Sequence, residues 1–223
     1  MTVPPRSLVG RHPSVETVLD GPRAAEHQRA RLLEAMAQVV ATKGYTATTV
    51  SDVVRAARVS RSTFYELFES KEQCFVEAYR AGVQVMFDDV RSARRAASGD
   101  GWEAQVRASN LAYLESLRDE PTFARTYLLE IHTAGAAALD ARAEALGRFA
   151  DGFRRLGNAI HPDGWGGTPP PREAFLVLAA GLDQLAAEWV RAGRADRLPE
   201  LEPTFTYCAM AVLSGDGPHP TDA

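Results

Sequence analysis

The sequence contains few cysteines: Cys74 and Cys208 are the two in 223 residues, and they lie far apart. Neither belongs to a CxxC pair or to a cysteine–histidine cluster, which argues against a disulfide framework and a structural zinc site. Both are expected to pack as small apolar side chains. The composition is typical of a protein kept in the reducing cytoplasm.

Long apolar runs are also missing. No stretch of 18 apolar residues occurs, and the N-terminus lacks the apolar segment of a signal peptide. The formal net charge of -4 excludes a general polycation that would adhere to nucleic acid or anionic membranes. We therefore expect a soluble cytoplasmic protein without membrane contact, in which any binding of nucleic acid is local.

Motifs for catalysis are absent as well. There is no glycine-rich phosphate loop, no GxSxG and no HExxH. The five histidines are never three or four residues from one another or from a cysteine, so no metal site is predicted. Adjacent carboxylates such as Asp88–Asp89 and Asp119–Glu120 are expected to be solvated. The sequence predicts no catalytic residues, no enzyme and no cofactor.

The apolar residues recur with a helical period almost everywhere from Ala24 onward, and no segment alternates as a half-buried strand does. This pattern predicts an all-α fold of about nine helices. Residues 1–23 are predicted to form a flexible N-terminal arm and residues 215–223 a flexible tail. The segment 161–171, rich in proline and glycine, is predicted to be a loop.

Charge is divided unevenly along the chain. Up to Lys71 there are ten basic and seven acidic residues, a net charge of +3, whereas the remainder carries -7. The basic N-terminal third contains two short amphipathic segments, at about 49–57 and 60–68, that are too short to be stable alone. Thr49 with Asp52, and then Ser60, are placed to cap them. The pattern predicts a helix-turn-helix.

The second short helix would direct Arg61, Ser62, Thr63 and Tyr65 outward from its first turns. Arginine can donate to guanine, serine and threonine can bond several bases or pack against a thymine methyl, and tyrosine can reach a phosphate. The next helix, from Lys71 to about residue 98, begins with a capping box at 70–73, and its free N–H groups and ammonium favour a phosphate. The predicted DNA-binding residues are Thr49, Ser60, Arg61, Ser62, Thr63, Tyr65 and Lys71.

This stretch resembles the TetR family of bacterial one-component transcriptional regulators. The resemblance runs from about Ala30 to Phe75, and the order and spacing of its elements are quite specific. It implies an all-helical homodimer with an N-terminal DNA-binding domain, a divergent C-terminal effector domain, and usually repression relieved by the effector. The matching positions are Gly44-Tyr45, Thr48-Thr49-Val50, Asp52-Val53, Ala57, Val59-Ser60, Thr63-Phe64-Tyr65, Phe68 and Ser70-Lys71-Glu72.

Two residues depart from the family pattern. Arg58 stands where a turn glycine is usual, and Val54 stands where a small alanine usually lets the two helices approach. A non-glycine residue in the left-handed conformation costs about 1–2 kcal/mol. Either the turn differs slightly, or Arg58 is kept because its side chain helps at the DNA phosphates.

Between the arm and the tail, the chain is interpreted as two domains. A DNA-binding domain covers 24–70, and an effector-binding and dimerisation domain covers 71–214. Its middle helices offer aromatic walls with sparse polar groups, as small-molecule sites do. The predicted effector-binding residues are Met86, Phe87, Asn110, Tyr113, Tyr127 and His132. The last two long helices carry more apolar surface than one core needs, which predicts a two-fold interface formed by Phe175, Leu178, Leu182, Leu185, Trp189, Phe205, Ala209 and Val212.

These observations predict a repressor that binds a palindromic DNA operator as a homodimer and is released by a small-molecule effector of unknown identity. The alternative is a helical small-molecule binding or scaffold protein whose DNA-binding domain has decayed. The unusual residues Arg58 and Val54 suggest this alternative.

Overall fold

The computed structural model describes residues 22–166 and 168–215, and within these ranges the regular secondary structure is helical, without strands. It confirms the predicted all-α fold of about nine helices. The α-helices are α1 (Pro22–Lys43), α2 (Val50–Ala57), α3 (Arg61–Leu67), α4 (Lys71–Ala96), α5 (Trp102–Asp119), α6 (Pro121–Leu128), α7 (Ala136–Ile160), α8 (Arg172–Arg191) and α9 (Glu202–Leu213), with 3₁₀-helices at Glu130–Thr133 and Ala195–Leu201.

The predicted arm and tail lie largely outside the described residues. Helix α1 begins at Pro22, within the segment that was expected to be an arm, and Gly215 is the last residue described. The predicted loop at 161–171 separates α7 from α8, and its described residues are not helical. Among the described residues no helix is long and apolar enough to cross a membrane.

The chain forms two compact units. The first comprises the residues from α1 to Met86 together with Asp119–Arg142, and the second comprises Phe87–Arg118 and the described residues from Ala143 onward. Helices α4 and α7 therefore each contribute residues to both units. The domain boundary expected at residue 70 stays a prediction, because these units are defined by compactness and not by function.

The first unit is built around the apolar stripe of α1. Met36 and Val40 are fully buried, and they share their core with Val53 of α2 and Phe64 of α3. Burying a side chain of this size contributes about 1.5–3 kcal/mol. Packing on α1 thus supplies the stability that two helices of eight and seven residues cannot provide themselves.

A glycine in α4 brings α6 close to it. A Cβ atom at Gly82 would collide with the Phe123 ring. Phe123 also stacks on Tyr127 with ring centroids 5.3 Å apart, and Tyr127 stacks on Tyr79 of α4 at 5.4 Å. In the first unit, α4 and α6 therefore pack through an aromatic stack.

The second unit uses apolar residues of α8 and α9 for its own core, and the predicted dimer interface stays a prediction. The side chains of Phe175, Leu178, Leu182, Phe205 and Ala209 are buried within the chain. One face of each helix therefore packs inward. Leu185, Trp189 and Val212 are partly exposed.

The apolar residues that α8 and α9 expose are different ones. Val177 is 73% exposed and Tyr207 is 75% exposed. The outer faces of α8 and α9 therefore carry apolar residues that the sequence pattern did not single out.

Glu120 corrects another expectation, since it is not a solvated carboxylate. One of its carboxyl oxygens is buried without a hydrogen-bond partner among the described residues. Burial, followed by the nearby charges of Asp119 and Glu34, raises the pKa of Glu120 to about 7. The carboxyl group is therefore largely protonated in mildly acidic solution, where an exposed glutamate would be ionised.

We predict that Glu120→Gln removes a pH-dependent loss of stability. The raised pKa means that Glu120 favours folding below its ordinary pKa and loses this contribution as the pH rises toward 7. Glutamine resembles the protonated carboxyl group, so the variant should match the natural protein at about pH 4 and be the more stable at about pH 8. Urea unfolding at both pH values measures the difference, and an equal advantage at both would contradict the assignment.

Candidate nucleic-acid interface

Helix α2 begins with the capping box expected from the sequence. The backbone N–H of Asp52 donates to Oγ1 of Thr49 at 3.2 Å, and the N–H of Thr49 donates to the Asp52 carboxylate at 2.9 Å. Lys43, at the end of α1, lies 2.6 Å from the same carboxylate. These bonds hold the pKa of Asp52 well below its usual range and join the end of α1 to the start of α2.

The chain turns from α2 to α3 through a left-handed residue. Arg58 has φ 53° and ψ 45°, and it is the one non-glycine residue with positive φ in the described part of the chain. Its N–H donates to the carbonyl of Arg55, and its own carbonyl accepts from the Arg31 guanidinium at 3.3 Å. The turn therefore keeps the conformation for which glycine is best suited, although arginine occupies it.

Helix α3 presents polar residues to solvent and apolar residues to the core. Ser60 caps the helix by accepting from the N–H of Thr63 at 3.0 Å. Arg61, Ser62 and Tyr65 are exposed, and the Tyr65 side chain is 50% exposed. Thr63 is half-buried, and its hydroxyl lies 2.8 Å from that of Ser60.

The exposed side chains of α3 form one face. The Arg61 guanidinium lies 5.7 Å from the centre of the Tyr65 ring and 3.5 Å from its hydroxyl. Ser60 and Ser62 share a hydroxyl contact of 2.7 Å. The resulting surface offers guanidinium, hydroxyl and phenol groups, which can all bond to bases or phosphates.

The C-terminal end of α3 is held by Arg29 of α1, a residue that the sequence analysis missed. Its guanidinium donates to the carbonyl of Leu67 at 3.1 Å and lies 4.6 Å from the centre of the Phe68 ring. It also forms an ion pair with Glu77 of α4. One side chain thus connects three helices and fixes where α3 ends.

Helix α4 begins as predicted but with a different cap partner. The N–H of Gln73 donates to Oγ of Ser70 at 3.0 Å, whereas Oε1 of Gln73 accepts from the N–H of Glu69 at 2.6 Å. The reciprocal bond of a capping box therefore reaches one residue further back. The expected start of α4 at Lys71 is confirmed.

The Lys71 side chain forms hydrogen bonds within the first unit. Its ammonium donates to the carbonyls of Tyr45 and Thr48, both at 2.9 Å, and lies 4.0 Å from the centre of the Tyr45 ring. Partial burial lowers the pKa of Lys71 from its ordinary value. The contact of Lys71 with a phosphate stays a prediction, since an ammonium has three protons and two of them are donated to carbonyls.

A second residue missed from the sequence is Glu130 in the first 3₁₀-helix. Its carboxylate accepts from the backbone N–H of Tyr45 at 3.0 Å and lies 3.3 Å from the guanidinium of Arg125. The segment that joins α1 to α2 is therefore bonded from both α4 and the 3₁₀-helix. No local sequence pattern predicts such a contact, because Glu130 and Tyr45 are far apart along the chain.

The predicted effector residues are divided between the units. Met86, Tyr127 and His132 belong to the first unit, and Phe87, Asn110 and Tyr113 to the second. His132 is exposed on a 3₁₀-helix, which corrects its expected place in a mostly apolar helix.

Among the predicted effector residues of the second unit, Asn110 and Tyr113 form hydrogen bonds within the chain. Asn110 donates to the Thr206 hydroxyl at 3.3 Å, and the Tyr113 hydroxyl donates to Asp183 at 3.3 Å. Phe149 stacks on Phe87 with centroids 4.3 Å apart and meets the edge of Tyr113. These residues form an aromatic cluster with a buried polar rim in the second unit.

Neither cysteine forms a disulfide, and burial raises the pKa of the Cys74 thiol. Over residues 22–166 and 168–215, no group of three or more histidine, cysteine or acidic side chains could hold a metal ion.

The first helices are similar to a known family of proteins. Residues 32–78 match the family model described as bacterial regulatory proteins, tetR family. Over 140 residues the chain is 32% identical to the HTH-type transcriptional regulator AlkX of Mycobacterium tuberculosis, a match that covers 58% of this chain. The chain spans 65% of the length of that relative.

Solved structures show the same fold along most of the chain. The fatty acid degradation regulator FadR from Bacillus halodurans is 20% identical, with a TM-score of 0.72 over 89% of this chain and 98% of that chain. FadR from Bacillus subtilis, solved in complex with stearoyl-CoA, is 15% identical, with a TM-score of 0.68 over 82% of this chain and 97% of that chain.

We predict that Arg58→Gly raises stability by about 1 kcal/mol, because glycine adopts the left-handed conformation without the steric cost of a Cβ atom. The midpoint of urea unfolding measures the effect. Arg55→Gly is the matched control: it removes the same charge from a helical position, and we expect a loss of about 1 kcal/mol. An unchanged or lowered midpoint for Arg58→Gly would contradict strain at this turn.

Proposed function

We propose that this chain is a transcriptional repressor of the tetR family, which its N-terminal helices match, and that it binds a palindromic operator as a homodimer and is released by a small-molecule effector. The observation that carries the proposal is the exposure of Arg61, Ser62 and Tyr65 on a capped helix whose other face is buried. A protein that acts on bacterial DNA would work in the cytoplasm.

Helix α3 is proposed to enter the major groove with its first two turns. Arg61 would donate to a guanine edge, Ser62 and Thr63 would contact neighbouring bases, and Tyr65 would bond a phosphate. The alternative of a decayed domain has less support, because both caps are formed and the core of α1 to α3 is closed. Thr49 and Ser60 would support binding mainly by fixing the helix starts.

The dimer is proposed to form through the outer faces of α8 and α9. These helices pack on each other within the second unit and expose Val177 and Tyr207. Leu185 and Val212 are half-exposed and would extend the surface. A two-fold dimer of this kind places its recognition helices about 34 Å apart, which is one turn of DNA.

The effector is proposed to bind in the second unit near the aromatic cluster of Phe87, Tyr113 and Phe149. Helix α4 would transmit the change, since it begins beside the DNA-binding helices and contributes Phe87 to that cluster. A ligand that prefers one tilt of α4 would alter the spacing of the recognition helices. A hundredfold loss of operator affinity requires about 2.7 kcal/mol of coupling.

We predict that Arg61→Ala relaxes preference at one base position by about 1–3 kcal/mol. Gel shifts against an operator taken from the upstream region of the gene, and against each single-base variant, measure the preference. Tyr65→Ala is the comparison, since a lost phosphate contact should weaken every duplex alike. Equal weakening of operator and random DNA by Arg61→Ala would show that Arg61 does not read a base.

We predict that exchanging both Val177 and Tyr207 for glutamate breaks the dimer, because charges buried in an apolar interface cost several kcal/mol. Analytical ultracentrifugation should show monomers, with helical content unchanged. Leu139→Glu is the control, since Leu139 is 47% exposed and lies on α7. A double variant that still sedimented as a dimer would place the interface elsewhere.

A further inference from the structure

Arg58, in the turn between α2 and α3, has both an unfavourable backbone conformation and an unpaired charge. Arg58 adopts φ 53°, where a non-glycine residue is strained. Its side chain is exposed, and its guanidinium has no hydrogen-bond or ion-pair partner among residues 22–166 and 168–215. Side-chain contacts of Arg58 with the described residues therefore do not offset the strain.

The surroundings of Arg58 are positively charged. Between Asp52 and Glu66 the sequence contains three arginines and no carboxylate. The guanidinium of Arg31 approaches the carbonyl of Arg58 to 3.3 Å, which brings a fourth arginine to the same turn. Arg55 is neutralised by Asp52 at 2.7 Å, whereas Arg58 has no such neighbour. An excess of positive charge at one turn favours the binding of a polyanion.

The position of Arg58 also suits the backbone of a duplex. It lies two residues before Ser60 and three before Arg61, at the edge of the exposed face of α3. A side chain at this edge would meet the sugar–phosphate strand that borders the groove, whereas the first turns of α3 meet the bases.

We propose that Arg58 is a phosphate-binding residue, and that the strained turn retains arginine because its guanidinium pairs with a DNA backbone phosphate beside the recognition helix. The inference rests on the proposed function. A guanidinium can pair with two phosphate oxygens at once, which a glycine at this position could not do. Stability and DNA affinity then oppose each other at this one residue.

The test compares Arg58→Gly, Arg58→Asn and Arg58→Lys on a mixed-sequence duplex. Glycine and asparagine both tolerate the left-handed conformation and lack charge, whereas lysine keeps the charge. Dissociation constants are measured by fluorescence anisotropy between about 50 and 200 mM salt. Arg155→Gln is the control, because it removes an exposed positive charge from α7.

We expect the glycine and asparagine variants to bind roughly tenfold more weakly per subunit near 0.1 M salt. The slope of log affinity against log salt should fall in magnitude by about 0.9 per bound subunit. The lysine variant and the Arg155→Gln control should keep the natural slope. Arg58→Gly would thus be the more stable protein and the weaker DNA binder, a combination that loss of structure cannot produce.

Natural affinity and an unchanged slope for Arg58→Gly and Arg58→Asn would overturn the assignment while leaving DNA binding intact. Equal losses for the lysine variant would also overturn it, since they would show that shape and not charge matters. If the natural protein bound no duplex with a salt-dependent affinity, the proposed function itself would fall, and this inference with it.

Discussion

Helix α3 has seven residues, and its position depends on side chains that hold both of its ends. Ser60 satisfies the N–H of Thr63 at the start, and Arg29 of α1 satisfies the carbonyl of Leu67 at the end. Between these points the buried Phe64 attaches the helix to the core. Arg61, Ser62 and Tyr65 can therefore be polar and exposed, because the cap, the Arg29 contact and Phe64 hold the helix in place.

The segment between α1 and α2 has a similar role for the rest of the first unit. The backbone of Tyr45 is bonded through its carbonyl to Lys71 of α4 and through its N–H to Glu130. Helices that are distant in sequence therefore share one short stretch of backbone. A displacement of α4 or of the 3₁₀-helix would act directly on the start of α2, which gives the proposed response to an effector a physical route.

Polar groups were the hardest feature to place from the sequence. Glu120 was expected in solvent and is partly buried with a raised pKa, whereas His132 was expected in a helix and is exposed. The ammonium of Lys71 donates to two carbonyls, contacts that the sequence did not predict, and its contact with a phosphate stays a prediction. The environment of each of these residues depends on which distant element lies beside it. The spacing of residues along the sequence does not show which element that is.

The amino-acid order by itself determined the helices and the caps of α2 and α3, whereas the left-handed conformation of Arg58 was left open. Such features arise from bonds between residues three or four apart, as in the Thr49–Asp52 pair, and from the backbone preferences of single residues. Only tertiary structure decided that Arg29 reaches Leu67 across 38 positions, or that Phe175 and Phe205 turn inward while Val177 and Tyr207 face out. A helical period marks an apolar stripe, but packing in three dimensions selects which part of it becomes core.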